Sequence, residues 1–256
     1  MGFQAIPALD VNRHLIGVPG GRAALATPVL VVELDVLKRN IASMAKRCAD
    51  AGIALRPHAK SHKCASIAKL QRAAGAVGFC CAKLGEAEAL TAAGVSDILL
   101  TSPVVADQAL ARLSRLNAAA EGLMVVVDAP EMAAKLGAAA RASGKTLGVV
   151  VDLDIGLHRT GIAPDRAADL AVAVAGEEGL IFEGLQAYAG HLMHLGDAAE
   201  RATKSKAALA MMAGVRDELT RRNLPPKIMT GGGTGTVDID PAFGVLTELQ
   251  GGSYIF

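Results

Sequence analysis

The chain has no tryptophan, and with two tyrosines and five phenylalanines its aromatic content is only 3% of 256 residues. A core must therefore be built from Ala, Val and Leu, a composition that suits helices packed on buried strands. Charge of one sign is also missing. Lys and Arg number 26 against 25 Asp and Glu, for a net charge of +1, and no basic run is long enough to suggest a nucleic-acid partner. No apolar stretch reaches the ~18–20 residues needed to cross a bilayer. Residues 1–10, MGFQAIPALD, lack the charged-then-apolar pattern of a signal peptide. Cysteine is scarce. Cys48, Cys64, Cys80 and Cys81 show no paired zinc-ligand spacing, and they read as reduced, buried thiols of a cytoplasmic protein.

What is present is an alternation. Hydrophobic residues make up 52% of the chain, and a single α/β barrel commonly takes about 250 residues. Short apolar runs occur at 29–34, 53–58, 78–82, 97–101, 123–127, 147–154, 181–188, 226–230 and 246–256. Between them, apolar residues recur three or four apart, as in Leu34, Leu37, Ile41, Met44 and Cys48, or Leu209, Met212, Val215 and Leu219. Gly52, Gly94 and Gly144 mark helix ends. Strands alternating with helices predict a parallel sheet with right-handed crossovers. Nine runs exceed an eight-strand barrel by one. Run 29–34 is the expected outsider, because only a Gly- and Pro-bearing leader precedes it. The chain stops inside an apolar run, LTELQGGSYIF, which predicts a fragment of a longer protein.

In such a barrel the active site lies on the rim at the strands' C-terminal ends. The residues after each run are therefore informative. They include Lys60, Lys83, Thr101, Asp128, Asp154, His158, Arg159, Tyr188, His191 and His194, followed by TGGGTG at 230–235 and by Gly251, Gly252 and Ser253. LRPHAKSHK, 55–63, gathers five cationic or titratable groups. Alternation puts Arg56 and His58 on the same face as Lys60. Cationic neighbours and partial burial favour a neutral lysine, the form that attacks a carbonyl to give a Schiff base. The other reading is a solvated basic loop, and Pro57 fits poorly in a central strand. TGGGTG offers unobstructed backbone N–H groups for a phosphate, with the Gly–Ser segment beside it, or it is a flexible connection. Arg159 is expected to be anchored by Asp152 or to form a structural ion pair. Cys80 and Cys81 face opposite ways and read as packing.

Taken together, RPHAKSHK, GFCCAKLGEAEAL, GLQAYAGH, TGGGTG and TELQGGSYIF resemble the D-threonine aldolase group of pyridoxal-phosphate enzymes. That group includes 3-hydroxy-D-aspartate aldolases and D-serine dehydratases and shares the alanine-racemase-type barrel. The resemblance implies a TIM-type (β/α)8 barrel over residues 35–256, with 1–34 forming a leader and one strand of a β-domain absent from this chain. It implies that Lys60 carries pyridoxal 5'-phosphate, that Arg159 meets its phenolic oxygen and that Tyr188 lies beside its ring. Thr234, Gly232, Gly233, Gly252 and Ser253 would take its phosphate. Gln250 would lie near the pyridine nitrogen, where racemases of this fold place an arginine, and His194 near the substrate's hydroxyl. Ala82 departs from the glutamine common at that place and removes one expected cofactor contact. The implied reaction is metal-assisted retro-aldol cleavage of a D-3-hydroxy amino acid to glycine and an aldehyde. A divalent Mn, Mg or Zn would be held by the absent domain. The alternatives are a dehydratase on the same scaffold and a non-catalytic pyridoxal-phosphate-binding barrel. The implied partner is a small-molecule substrate, not a nucleic acid or a membrane, and both a monomer and a homodimer stay open.

Overall fold

In the computed structural model, which describes residues 11–256, eight short strands alternate with seven α-helices. The strands are β1 (Ala54–Leu55), β2 (Phe79–Cys81), β3 (Ile98–Leu100), β4 (Met124–Val127), β5 (Leu147–Leu153), β6 (Leu180–Ala187), β7 (Ile228–Gly231) and β8 (Glu248–Leu249). The helices are α1 (Leu34–Asp50), α2 (Ala65–Ala73), α3 (Leu84–Ala92), α4 (Asp107–Ala119), α5 (Glu131–Ser143), α6 (Pro164–Gly176) and α7 (Ala198–Arg221).

All paired strands are parallel, in the order β1-β8-β7-β6-β5-β4-β3-β2. The ring is completed between β1 and β2. Val77 N–H donates to Leu55 O and Cys80 N–H to Pro57 O, each at 2.9 Å, and His58 bridges Cys80. This is the expected TIM-type (β/α)8 barrel. Pro57 is compatible with it because its carbonyl still accepts from β2, and only the N–H bond on that side is forgone.

Side chains along the strands alternate between two cores. Cys80, Leu99, Met124, Val126 and Val150 point inward and pack together within the ring. Their neighbours Phe79, Cys81, Leu100, Val125, Val127 and Val151 point outward and pack under the helices. Buried on both faces, these strands read as continuous apolar runs. The two adjacent cysteines thus part, and burial raises both thiols above the usual range, Cys81 to about 12. Cys48 is buried as expected, but Cys64 is only half-buried. Gly52, Gly94 and Gly144 all have positive φ, as helix-terminating glycines should.

The lower interior holds charge. Arg56, 5% exposed, is bidentate on Glu248, with Nε–Oε2 at 2.7 Å and Nη2–Oε1 at 2.8 Å, and its Nη1 donates to Asp97 O at 2.7 Å. Arg56 therefore lies inside the barrel below Lys60, as the alternation predicts.

Residues 29–33 pair with no strand among the described residues, Leu30 is 97% exposed and helix α1 begins at Leu34. One expectation fails. Within the last run only Glu248–Leu249 is strand. Beyond Gly251 and Gly252 the chain turns into a 3-10 helix, Ser253–Ile255. That turn carries Ile255 onto Leu37 and Ile41 of α1, so α1 occupies the helix position after β8. The part of the leader at residues 1–10 lies outside the described residues.

Replacing Glu248 with alanine would leave the Arg56 guanidinium buried without its counter-charge. The expected loss is about 3–5 kcal/mol of unfolding free energy. Urea denaturation measures it, and an E248Q variant, which keeps one acceptor, should lose less.

Candidate active site

Beyond β1 the chain tightens into a 3-10 turn, Ala59–Ser61, and His58 Nδ1 accepts the Lys60 N–H at 3.4 Å. The other ring nitrogen, Nε2, lies 3.2 Å from Thr101 Oγ1, whose hydroxyl donates to Cys81 O at 3.1 Å. Thr101 has spent its proton on Cys81, so the imidazole donates through Nε2–H and accepts through Nδ1. That is one neutral tautomer. Burial, with help from the Lys60 and Arg159 cations, holds the His58 pKa down to about 3. His58 is therefore a neutral prop under Lys60.

Lys60 itself opens into a cavity of about 300 Å³ at the strands' C-terminal end. Its side chain is solvent-accessible, yet the protein around it removes enough water to lower its pKa, and the Arg159 cation lowers it further. The Tyr188 ring lies between the two, with Lys60 Nζ and Arg159 Cζ each 5.5 Å from its centroid. Crowding two cations against one ring disfavours the charged amine. Arg159 is not anchored by Asp152 as expected. Asp152 instead accepts from Thr160 Oγ1 at 2.8 Å and Gln186 Nε2 at 2.9 Å. Asp154 caps its own loop, binding the Gly156 and His158 N–H groups and the His158 ring. Asp128 holds that loop from β4 by accepting the Gly161 N–H at 3.1 Å.

Beside the Lys60 turn, the loops after β7 and β8 form a cradle. Gly233, Thr234, Gly235, Gly252 and Ser253 line the cavity. Among the described residues the N–H groups of Thr234, Gly235, Gly252 and Ser253 meet no protein acceptor, and the buried Thr234 Oγ1 has no partner either. The Gly233 N–H, in contrast, is bound to Thr236 Oγ1 at 3.2 Å. A Cβ on Gly252 would come within 2.7 Å of Ser61 Oγ and 3.2 Å of His58 O, so the two loops meet closely there. Gly232 does not line the cavity. Its φ of +64° makes the turn, and a Cβ there would fall 2.6 Å from the Asp240 carboxylate.

Of the residues singled out in the sequence, the cavity brings together Lys60, Arg159, Tyr188, His194, Gly233, Thr234, Gln250, Gly252 and Ser253. Lys83, His191, Asp128 and Gly232 stay outside it. Sequence reasoning missed Gln186, Met193 and Glu248. Gln186 and Glu248 sit at inward positions of strands, and only the register reveals them. Free N–H groups and an orphaned hydroxyl facing a poised amine fit an aldehyde that carries a phosphate. Pyridoxal phosphate is such a molecule.

A barrel with one amine on its C-terminal rim and an anion cradle beside it defines a class of Schiff-base-forming sites. Sequence comparison gives the family. The profile described as "Alanine racemase, N-terminal domain" matches residues 32–256, and the chain belongs to that family. It is 36% identical over 250 residues to a 3-hydroxy-D-aspartate aldolase of Paracoccus denitrificans (strain Pd 1222), covering 96% of this chain and 65% of that protein. It is 39% identical over 236 residues to a D-threonine aldolase of an Arthrobacter species, covering 91% of this chain and 62% of that one. The crystal structure of D-threonine aldolase from Filomicrobium marinum superposes with a TM-score of 0.89 at 40% identity, covering 91% of this chain and 63% of that one. The chain thus spans less than two thirds of the length of these relatives.

Lys60 reacts with an aldehyde only when uncharged, and the uncharged fraction grows as pH rises through its pKa. A lowered pKa therefore moves reaction toward neutral pH. In Arg159→Met the pKa should rise, so the pH profile for appearance of the visible band of lysine-bound pyridoxal phosphate should move to higher pH. Stopped-flow absorbance across the alkaline range checks this.

Proposed function

We propose that this chain is the pyridoxal-phosphate-binding barrel of a carbon–carbon lyase that cleaves D-3-hydroxy amino acids, D-threonine-like, to glycine and an aldehyde. The observation that carries this reading is the pairing of a depressed lysine with an unsatisfied glycine–threonine cradle in one cavity. The aldolases similar to this chain support the reaction type.

Lys60 would hold the cofactor covalently, and Thr234, Gly235, Gly252 and Ser253 would take its phosphate through N–H and hydroxyl donors. When bound, pyridoxal phosphate supplies a conjugated ring that accepts the electron pair released at the substrate's α-carbon. Arg159, standing over Tyr188, would supply a fixed positive charge to the bound cofactor, and Tyr188 would pack against it. His194, on the rim and open to solvent, is placed to take the β-hydroxyl proton directly or through a water. As that proton leaves, the Cα–Cβ bond breaks, its electrons stay on the α-carbon, and the former hydroxyl carbon departs as an aldehyde. A proton returned to the α-carbon would complete glycine. The divalent Mn, Mg or Zn expected to assist has no cluster of three or more His, Cys, Asp or Glu among the described residues. This reading assigns its ligands elsewhere. A cytoplasmic location, and a homodimer or monomer as the assembly, belong to the same reading.

Mixing the protein with pyridoxal phosphate should give the visible band, and Lys60→Ala should abolish it. With D-threonine and Mn²⁺, glycine and acetaldehyde are the expected products. Release of ammonia and a keto acid would assign a dehydratase instead, as in the D-threo-3-hydroxyaspartate dehydratase of a Delftia species that is 31% identical to this chain. Turnover of neither kind would leave a binding barrel. Where cleavage is measured, His194→Asn should lower kcat by about 10²–10⁴-fold, the range for loss of a general base.

A further inference from the structure

Beneath the cavity runs a column of buried polar side chains that the mechanism above does not use. It begins at Asp152 on β5 and ends at Gln250 after β8, and both are almost wholly inaccessible. Asp152 Oδ1 accepts Gln186 Nε2 at 2.9 Å, and the same nitrogen lies 3.4 Å from Thr101 O. Gln186 Oε1 in turn accepts Gln250 Nε2 at 3.0 Å, and Thr230 Oγ1 accepts the second Gln250 proton at 3.0 Å.

The direction of each bond is forced. A carboxylate and a backbone carbonyl can only accept, so the Gln186 atom facing both must be its NH₂ group. Its oxygen then faces Gln250 and requires a donor there. Both Gln250 protons are consumed, which leaves Oε1 as the atom available to the cavity. Asp152 stays ionised at neutral pH. Burial raises its pKa to about 6, the hydrogen bonds from Gln186 and Thr160 resist that rise, Asp128 adds to it and Arg159 opposes it. His58, the titratable group beside Thr101, is neutral over the same range.

We propose that Asp152, acting through Gln186, is a positioning residue that locks the Gln250 amide with its oxygen toward the cavity, so that the floor selects a ligand bringing an N–H to that point. This rests on the cofactor reading above. In pyridoxal phosphate the ring nitrogen lies para to the aldehyde-bearing carbon. An aldehyde held at the open end by Lys60 therefore turns the nitrogen away from the mouth. An acceptor-only floor holds that nitrogen in its protonated form without offering it a charge, and a floor that donated would hold it unprotonated.

The test is NMR of the protein loaded with ¹⁵N-ring-labelled pyridoxal phosphate at pH 7.5. The wild-type protein should show a protonated ring nitrogen with a resolved one-bond N–H coupling. In Asp152→Leu the acceptor is lost, and only the 3.4 Å approach to Thr101 O still orients Gln186. The Gln186 and Gln250 amides are released, and the coupling should weaken or disappear. In Asp152→Asn the side-chain oxygen can accept from Gln186 while the NH₂ group donates to Thr160, so the coupling should be kept. The visible band reports in each variant that the protein is folded and loaded. If Asp152→Leu is loaded and its ring nitrogen is unchanged, the relay is wrong while the cofactor reading stands. If Asp152→Leu does not fold, Gln186→Leu, which removes the acceptor on Gln250 Nε2, decides: a loaded Gln186→Leu variant that keeps the coupling overturns the relay. If the wild-type protein never forms the band, the cofactor reading fails and takes this inference with it.

Discussion

Everything at the site depends on closure of the ring at β1. This strand is two residues long, yet it is bonded on both sides. The N–H groups of Ala54, Arg56 and His58 donate to β8 and its extension, at Thr247, Leu249 and Gly251, while the carbonyls of Leu55 and Pro57 accept from Val77 and Cys80 on the β2 side. The alternation that produces those bonds also aims Arg56 and His58 into the barrel and delivers Lys60 to its rim. Closure is what brings Lys60, from the first strand, beside the loops after the seventh and eighth. Gly252 packs closely on Ser61 and His58.

The interior of the ring is correspondingly divided by height. At the bottom, Arg56 and Glu248 satisfy one another and seal a charge pair below the apolar layer. Above it, His58, Thr101, Gln186, Asp152, Thr230 and Gln250 form a hydrogen-bonded platform in which every side chain has a partner. A half-satisfied platform would be worse than an apolar one. Only at the top do groups lack partners: the cradle N–H groups, the Thr234 hydroxyl and the Lys60 amine. Unmet hydrogen-bonding capacity at the one level that a ligand can reach identifies a site better than any single residue does.

Most of the barrel was legible in the sequence, because its strands are buried on both faces and show as short unbroken apolar runs between helical patterns. Lys60, Arg159, Tyr188, His194 and the glycine loops were legible because rim residues follow directly on those runs. The failures have physical causes. The last run looks like one strand, but two glycines let it turn after Leu249. Gln186 and Glu248 were invisible because a polar residue within an apolar run gives no sign of which face it occupies. Asp152 was expected to reach Arg159 because the two lie close in sequence. The strand register instead aims it inward at Gln186, and Arg159 leaves over the Tyr188 ring.

That last displacement links the two halves of the site. Were Asp152 paired with Arg159, the guanidinium's charge would be neutralised and Lys60 would lose part of the repulsion that lowers its pKa. Gln186 would also lose the acceptor that fixes its direction. Because Asp152 turns inward, one carboxylate orients amides at the floor, and the Arg159 cation remains at the mouth, where it adds to burial in lowering the pKa of the Lys60 amine. The burial that lifts Asp152 to about 6 still leaves it mostly ionised at neutral pH, while the same burial keeps His58 neutral. The site thus carries its positive charge at the rim and its negative charge beneath the floor.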